Sequence, residues 1–196
     1  MARVGSPDVG VRDLLYSVYE RNLSRELARV EPAQRPRHIA VMLDGNRRWA
    51  RDAGFVDVND GHRVGAARIA DLLAWCEEAH VEVVTLFLLS TDNLSRPAEE
   101  LAPLLGIIAD VVDDLSGPDA RWRLRVVGAL DRLPAPIAER LSAAAERTVG
   151  RPGLELNVAV CYGGRQEVAD AVRKLLLQHA EAGTTIEELA EVLDVD

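Results

Sequence analysis

Residues 38–49 read His38-Ile39-Ala40-Val41-Met42-Leu43-Asp44-Gly45-Asn46-Arg47-Arg48-Trp49. A short apolar run stops abruptly at an acid, a glycine and an amide, and two arginines follow. That is the pattern of a buried strand, with a loop after it that runs into a short helix. Residues 81–89, 124–127 and 154–162 repeat the apolar run. Between the runs the spacing is helical: over 62–80, over 98–115 (Leu101, Leu104, Leu105, Ile108, Val111, Val112, Leu115), over an alanine-rich 135–148, and over 165–181 and 185–193. Strands that alternate with helices, each strand nearly all apolar, predict an α/β fold with a parallel sheet covered by helices on both faces.

Upstream, Leu14, Leu15, Val18, Tyr19, Leu23, Leu27 and Val30 predict an amphipathic helix over 11–30, with Asp8 as its cap. Pro32 and Pro36 end it. A chain of 196 residues suits one domain with a sizeable core. Residues 1–34 form an N-terminal helical segment of that domain. No repeat, low-complexity tract or long linker divides it.

The net charge of −9 argues against a nucleic-acid partner. Lys174 is the single lysine among 23 basic residues; the arginine excess reads for the most part as the composition of a GC-rich genome, and it also supplies planar donors that suit phosphate. Two cysteines, Cys76 and Cys161, sit in apolar segments and read as buried thiols. The first ten residues lack the apolar stretch of a signal peptide, and no segment has the roughly 20 apolar residues of a membrane span. These features fit a reducing cytoplasm.

In open α/β sheets, ligands bind beyond the carboxyl ends of the strands. Three polar segments fall there: Asp44 to Trp49, Ser90 to Glu100, and Tyr162-Gly163-Gly164-Arg165. In the first, Gly45 lets backbone approach a ligand, and Arg47 and Arg48 offer charge-assisted donors. Asp44 among these cations has two readings. It holds Mg²⁺ together with a diphosphate, or it caps a helix and pairs with Arg47 or Arg48. His62 in Gly61-His62-Arg63-Val64-Gly65-Ala66 is a phosphate donor or a packed residue, and Gly65 allows close helix packing. Ser90, Asn93 and Arg96 either orient a substrate or build a capped turn, with Pro97 starting a helix and Glu100 near its N-terminus. Gly163 and Gly164 favour close packing over a substrate contact.

Taken in order, Asp-Gly-Asn-x-Arg-Trp, Gly-His-x-x-Gly-Ala and Ser-Thr-Asp-Asn-x-x-Arg-Pro-x-x-Glu resemble the cis-prenyltransferases, the undecaprenyl diphosphate synthase family. The resemblance runs from about His38 to Arg173. It implies an undecaprenyl diphosphate synthase-like parallel sheet flanked by helices, a homodimer, and Mg²⁺-dependent condensation of isopentenyl diphosphate with an allylic prenyl diphosphate. It places the allylic diphosphate on Gly45, Asn46, Arg47 and Arg48 and near His62. It makes Asp44 the metal-binding catalytic acid and puts Asn93, Ser90 and Arg96 at the condensation site. Glu100 belongs to the same motif, and Trp49 and Phe87 form packing or substrate walls. An apolar tunnel is expected between the sheet and the helices at 62–80 and 98–115. Lipid products imply work in the cytoplasm beside a membrane.

The chain also departs from the family pattern. Residues 55–60 carry acids where an arginine is usual, and Leu94 and Asp92 replace a tryptophan and a glutamate. Leu88 stands where long-chain members have a small residue, which implies a short Z-prenyl product of the actinobacterial type. The family's C-terminal Arg-x-Ser segments and their glutamate do not occur before Asp196. The expectation is therefore a C-terminally incomplete enzyme, inactive alone; the alternative is a non-catalytic partner subunit.

Overall fold

A computed structural model describes residues 11–182. The Asp8 cap and the helix expected at 185–193 lie outside these residues. Four strands, β1 (His38–Met42), β2 (Val83–Ser90), β3 (Arg123–Val127) and β4 (Glu155–Tyr162), form one parallel sheet in the order β1-β2-β4-β3. The helices are α1 (Val11–Arg29), α2 (Asn46–Asp52), α3 (Asn59–Ala67), α4 (Ile69–Glu78), α5 (Ala98–Leu115), α6 (Ala135–Arg147) and α7 (Gly164–Ala182).

The core is the set of apolar residues that each periodicity places on one side. Val84, Leu86, Leu124, Leu156 and Val158 point from the sheet into Ile69, Leu73 and Cys76 of α4, Leu104, Ile108 and Val112 of α5, and Leu141 and Ala144 of α6. Both cysteines are free and buried, as expected.

Three expectations need correction. The helix expected over 62–80 is two helices that meet at Arg68. α3 lies close against α2, whereas α4 turns Ile69, Leu73 and Cys76 into the core, and the bend at Arg68 serves both. Helices cover only one face of the sheet among the described residues. On the other, His38, Ala40 and Met42 are exposed and Thr85, Phe87 and Asn157 are half-buried. That face is partly polar: the Thr85 hydroxyl bridges the His38 Nε2 at 2.8 Å and the Asn157 Nδ2 at 3.3 Å. Finally, α1 forms as expected, but Leu14, Leu15, Tyr19 and Leu23 on it are exposed. Its apolar stripe has no core to join, because α4, α5 and α6 already close the packed face.

Register carries one irregularity that matters to the site. β2 and β4 pair residue for residue up to Phe87 with Ala159. Leu88 is then skipped on β2, Leu89 pairs with Val160, Cys161 is skipped on β4, and Ser90 pairs with Tyr162. Such a bulge re-aims side chains. Leu88 lines a cleft while its neighbour Leu89 is fully buried in the core, so two consecutive leucines point to the helix side. Cys161 takes the left-handed φ of 57°, rare for an L residue.

Candidate functional site

Parallel strands bring their carboxyl ends to one edge, and the three polar segments meet there. β1 passes into the first loop at Leu43, whose N–H still donates to the Phe87 carbonyl at 3.3 Å. Gly45 follows with φ 88°, a conformation that favours glycine, and its N–H donates to the Asp44 Oδ1 at 2.6 Å. Asp44 is exposed at this turn, so its carboxylate keeps acceptor capacity toward solvent or a ligand.

The second segment is a 3₁₀ turn over Thr91–Ser95, capped reciprocally. The Asn93 N–H donates to the Ser90 Oγ at 3.2 Å, and the Ser90 N–H donates to the Asn93 Oδ1 at 3.2 Å. The capped-turn reading of these two residues is therefore realised. It leaves the Asn93 Nδ2 hydrogens without a partner among the described residues. α5 begins after Pro97 with Glu100 in its first turn, as the sequence suggests.

The two segments are tied by charge. Arg47 Nη1 donates to Glu100 Oε2 at 3.2 Å, both side chains being partly exposed. Arg96 is half-buried nearby; burial first, then the Arg47 charge, pull its guanidinium pKa down, while Glu100 and Asp44 oppose them. His62 is half-buried in α3. Burial is the main force holding its imidazole below the usual histidine range, and Arg96 and Arg47 add to it against Glu100 and Asp57. Asp44, Arg47, His62, Arg96 and Glu100 thus share one electrostatic locale, two guanidinium groups facing two carboxylates around an imidazole that resists protonation.

Beside it lies a cleft of about 40 Å³ lined by Leu43, Asn46, His62, Leu88, Leu104 and Ile108 among others. Ala66, Ile69, Ile107 and Val111 border both this cleft and a groove of about 340 Å³ between α3, α4 and α5. The groove volume is in the range of small-molecule sites. The cleft sits where the apolar tunnel is expected.

Other expected site residues stand further off. Trp49 is exposed and packs on Phe55, ring centroids 5.4 Å apart, and does not line the cleft. Arg48 is exposed and forms no ion pair among the described residues. Phe87 meets Tyr162 edge to face at 5.7 Å and lines neither cleft nor groove. In the third segment a side chain at Gly163 would overlap the Thr91 hydroxyl, the close packing expected there, whereas Gly164 has no neighbour within 4 Å of a Cβ and departs from that expectation. Asp57, in the stretch that departs from the family, accepts from the Asn59 N–H at 2.8 Å and starts α3. Two features escape the sequence: the Arg47–Glu100 pair, and the bulge that brings Leu89 to the same side as Leu88. Only the succession Leu86-Phe87-Leu88-Leu89, which breaks period 2, hints at the second.

Mg²⁺ keeps waters and takes one or two protein carboxylates, with substrate phosphates supplying further oxygens. No group of three or more His, Cys, Asp or Glu that could cage a metal occurs among the described residues. One exposed carboxylate, Asp44, close to the Arg96 guanidinium fits an ion of this habit.

A family model described as "Putative undecaprenyl diphosphate synthase" matches residues 42–196. Isoprenyl transferase 1 of Corynebacterium diphtheriae is 51% identical over 190 residues, covering 95% of this chain and 71% of the relative. The (2Z,6E)-farnesyl diphosphate synthase of Mycolicibacterium smegmatis is 49% identical over 187 residues, with the same coverages of 95% and 71%. Among solved structures, lavandulyl diphosphate synthase from Lavandula x intermedia, in complex with dimethylallyl diphosphate, superposes with a TM-score of 0.71. It is 26% identical, over 83% of this chain and 67% of that one. With the three motifs, the parallel sheet and these likenesses in agreement, the chain belongs to the undecaprenyl diphosphate synthase family of prenyltransferases.

Proposed function

We propose that the protein condenses isopentenyl diphosphate with an allylic diphosphate and releases a short Z-prenyl diphosphate. The observation that carries this is the clustering of Arg47 and Arg96 about His62, with Asp44 beside Arg96, where His62 itself lines an apolar cleft. A molecule with a diphosphate head and a hydrocarbon tail satisfies both halves. Two relatives named (2Z,6E)-farnesyl diphosphate synthase and short-chain Z-isoprenyl diphosphate synthase support the short product. So does Leu88, whose bulk stands in the cleft.

The head of the allylic substrate rests on Gly45, Asn46, Arg47 and Arg48, with His62 and Arg96 closing around it. Arg47 exchanges Glu100 for phosphate oxygens as the substrate arrives. Breaking the allylic carbon–oxygen bond builds negative charge on the departing diphosphate. Fixed guanidinium groups stabilise that charge most where it is greatest. Mg²⁺, when bound by Asp44, supplies Lewis-acid stabilisation to the same leaving group. Ser90 holds Asn93 in its capped turn, and the free Asn93 amide hydrogens orient the second diphosphate substrate against the first. The enzyme works as a homodimer in the cytoplasm beside the membrane that takes up its product. No described helix is long and apolar enough to cross a membrane itself.

The test is a calorimetric titration of the chain with geranyl diphosphate in Mg²⁺ buffer, with incorporation of labelled isopentenyl diphosphate read on a chain that also carries the family's C-terminal Arg-x-Ser segments. Asp44→Ala should keep its thermal midpoint, weaken Mg²⁺-dependent binding about tenfold or more, and abolish incorporation. Binding and turnover equal to the parent would refute the role of Asp44.

A further inference from the structure

The first loop and α3 meet almost backbone to backbone. Gly61 and Gly65 are four residues apart on α3 and so lie on one face, toward Asn46 at the start of α2. A Cβ at Gly61 would overlap the Asn46 carbonyl oxygen and stand 2.9 Å from the Ala50 Cβ. At Gly65 the neighbours are different. A Cβ there would meet Asn46 Oδ1 at 2.5 Å, Cγ at 3.2 Å and Nδ2 at 3.3 Å, all atoms of one side chain. That same carboxamide donates from Nδ2 to the Leu43 carbonyl at 3.3 Å, spanning the turn that contains Asp44 and Gly45. Asn46, Gly65 and His62 all line the same cleft.

We infer that Gly65 is a positioning residue: it is the seat for the Asn46 carboxamide, and through that amide it fixes the Asp44–Gly45 turn and Arg47 relative to His62. The inference rests on the diphosphate cradle proposed above. It differs from ordinary close helix packing, which Gly61 performs against backbone. A methyl group at residue 65 displaces one side chain and leaves the helix axes where they are. It pushes the amide off the Leu43 carbonyl and frees the turn.

The experiment is a double-mutant cycle on the 196-residue chain with Gly65→Ala, Asn46→Ala and both together, plus Gly61→Ala as the contrast. Pyrophosphate binding in Mg²⁺ is read by calorimetry and stability by thermal unfolding. Gly65→Ala should weaken pyrophosphate about tenfold, Asn46→Ala by a similar factor, and the double variant no more than Asn46→Ala alone. Gly65→Ala should lower Tm in the parent. In the Asn46→Ala background, where alanine's helix propensity is unopposed, it should raise Tm by roughly 2–4 °C. Gly61→Ala should destabilise both backgrounds, because the carbonyl it meets remains. A Gly65→Ala chain that unfolds while the double variant folds gives the same support. Losses of affinity that simply add overturn the inference. So does a Gly65→Ala chain that loses Tm but binds pyrophosphate like the parent, since packing alone then explains the glycine. A parent chain that binds no pyrophosphate refutes the cradle itself, and the positioning role falls with it.

Discussion

An imidazole that shares half-buried space with two guanidinium groups is poorly placed to carry its own charge. His62 is held below the ordinary histidine value of about 6.5 by burial, Arg96 and Arg47, and Glu100 and Asp57 only partly compensate. The sign follows. As pH falls through about 6.5 the unfolded chain takes up a proton that the folded His62 resists, so stability is full above that value and declines below it. A diphosphate reverses the balance by placing negative charge beside the ring. Binding should therefore take up a proton on the acid side of neutrality. Pyrophosphate titrations in two buffers of different ionisation enthalpy should show more uptake in the parent than in His62→Gln; equal uptake would place the ring away from the anion. At this scale the sequence is informative where chemistry sits in a motif. Asp44, Arg47, His62 and Arg96 are singled out by the family resemblance, since the residues alone leave a capping reading of Asp44 and a packed reading of His62 open; the structure brings the four into one electrostatic locale. The Arg47–Glu100 pair is not, because the partners are 53 residues apart and only the fold joins them.

Elements were legible where period and punctuation agree. The α5 bounds, Ala98–Leu115, match the expected helix because Pro97 opens it and its apolar spacing never falters. The α3–α4 bend was not, since both halves share one helical period and the reason to turn lies in α2. Leu88, beside the bulge in β2, has a consequence for chemistry. Leu88→Ala removes the side chain that narrows the cleft between β2, α3 and α5, so in a chain that also carries the family's C-terminal segments chromatography of the products should show longer chains, at a cost near 2 kcal/mol of stability. An unchanged product length would move the stop elsewhere. The outer edge of the sheet offers a second case. Thr148, fully buried just past α6, accepts the Leu124 N–H of edge strand β3 at 2.9 Å and donates to the Ala145 carbonyl at 2.9 Å. Thr148→Val keeps the shape and strands that N–H, and urea unfolding should show a loss of about 1–3 kcal/mol. A loss within 0.5 kcal/mol would mean that water replaces the hydroxyl.

Across the whole molecule, the layering follows from which strands have neighbours. β2 and β4 are flanked on both sides and carry most of the fully buried positions, Val84, Leu86, Leu89, Leu156, Val158 and Val160. Their amides should exchange with solvent last, while those of α1, whose apolar side chains are exposed, exchange first; mass spectrometry of exchanged peptides would show the order, and equal protection would contradict it. Alternation of strand and helix made the parallel sheet readable. One-sided cover is not readable, because β1 reads as a continuous apolar run although it alternates between exposed and half-buried. The two skipped residues, Leu88 and Cys161, act together like a vernier: each strand drops one tooth, and the scales agree again at Ser90 and Tyr162. Deleting either residue alone would rotate its strand end by half a pleat and carry the rim residues to the wrong side. Deleting both would restore plain pairing and leave the rim aligned, so the height of the two central strands and the placement of the rim above them can change independently.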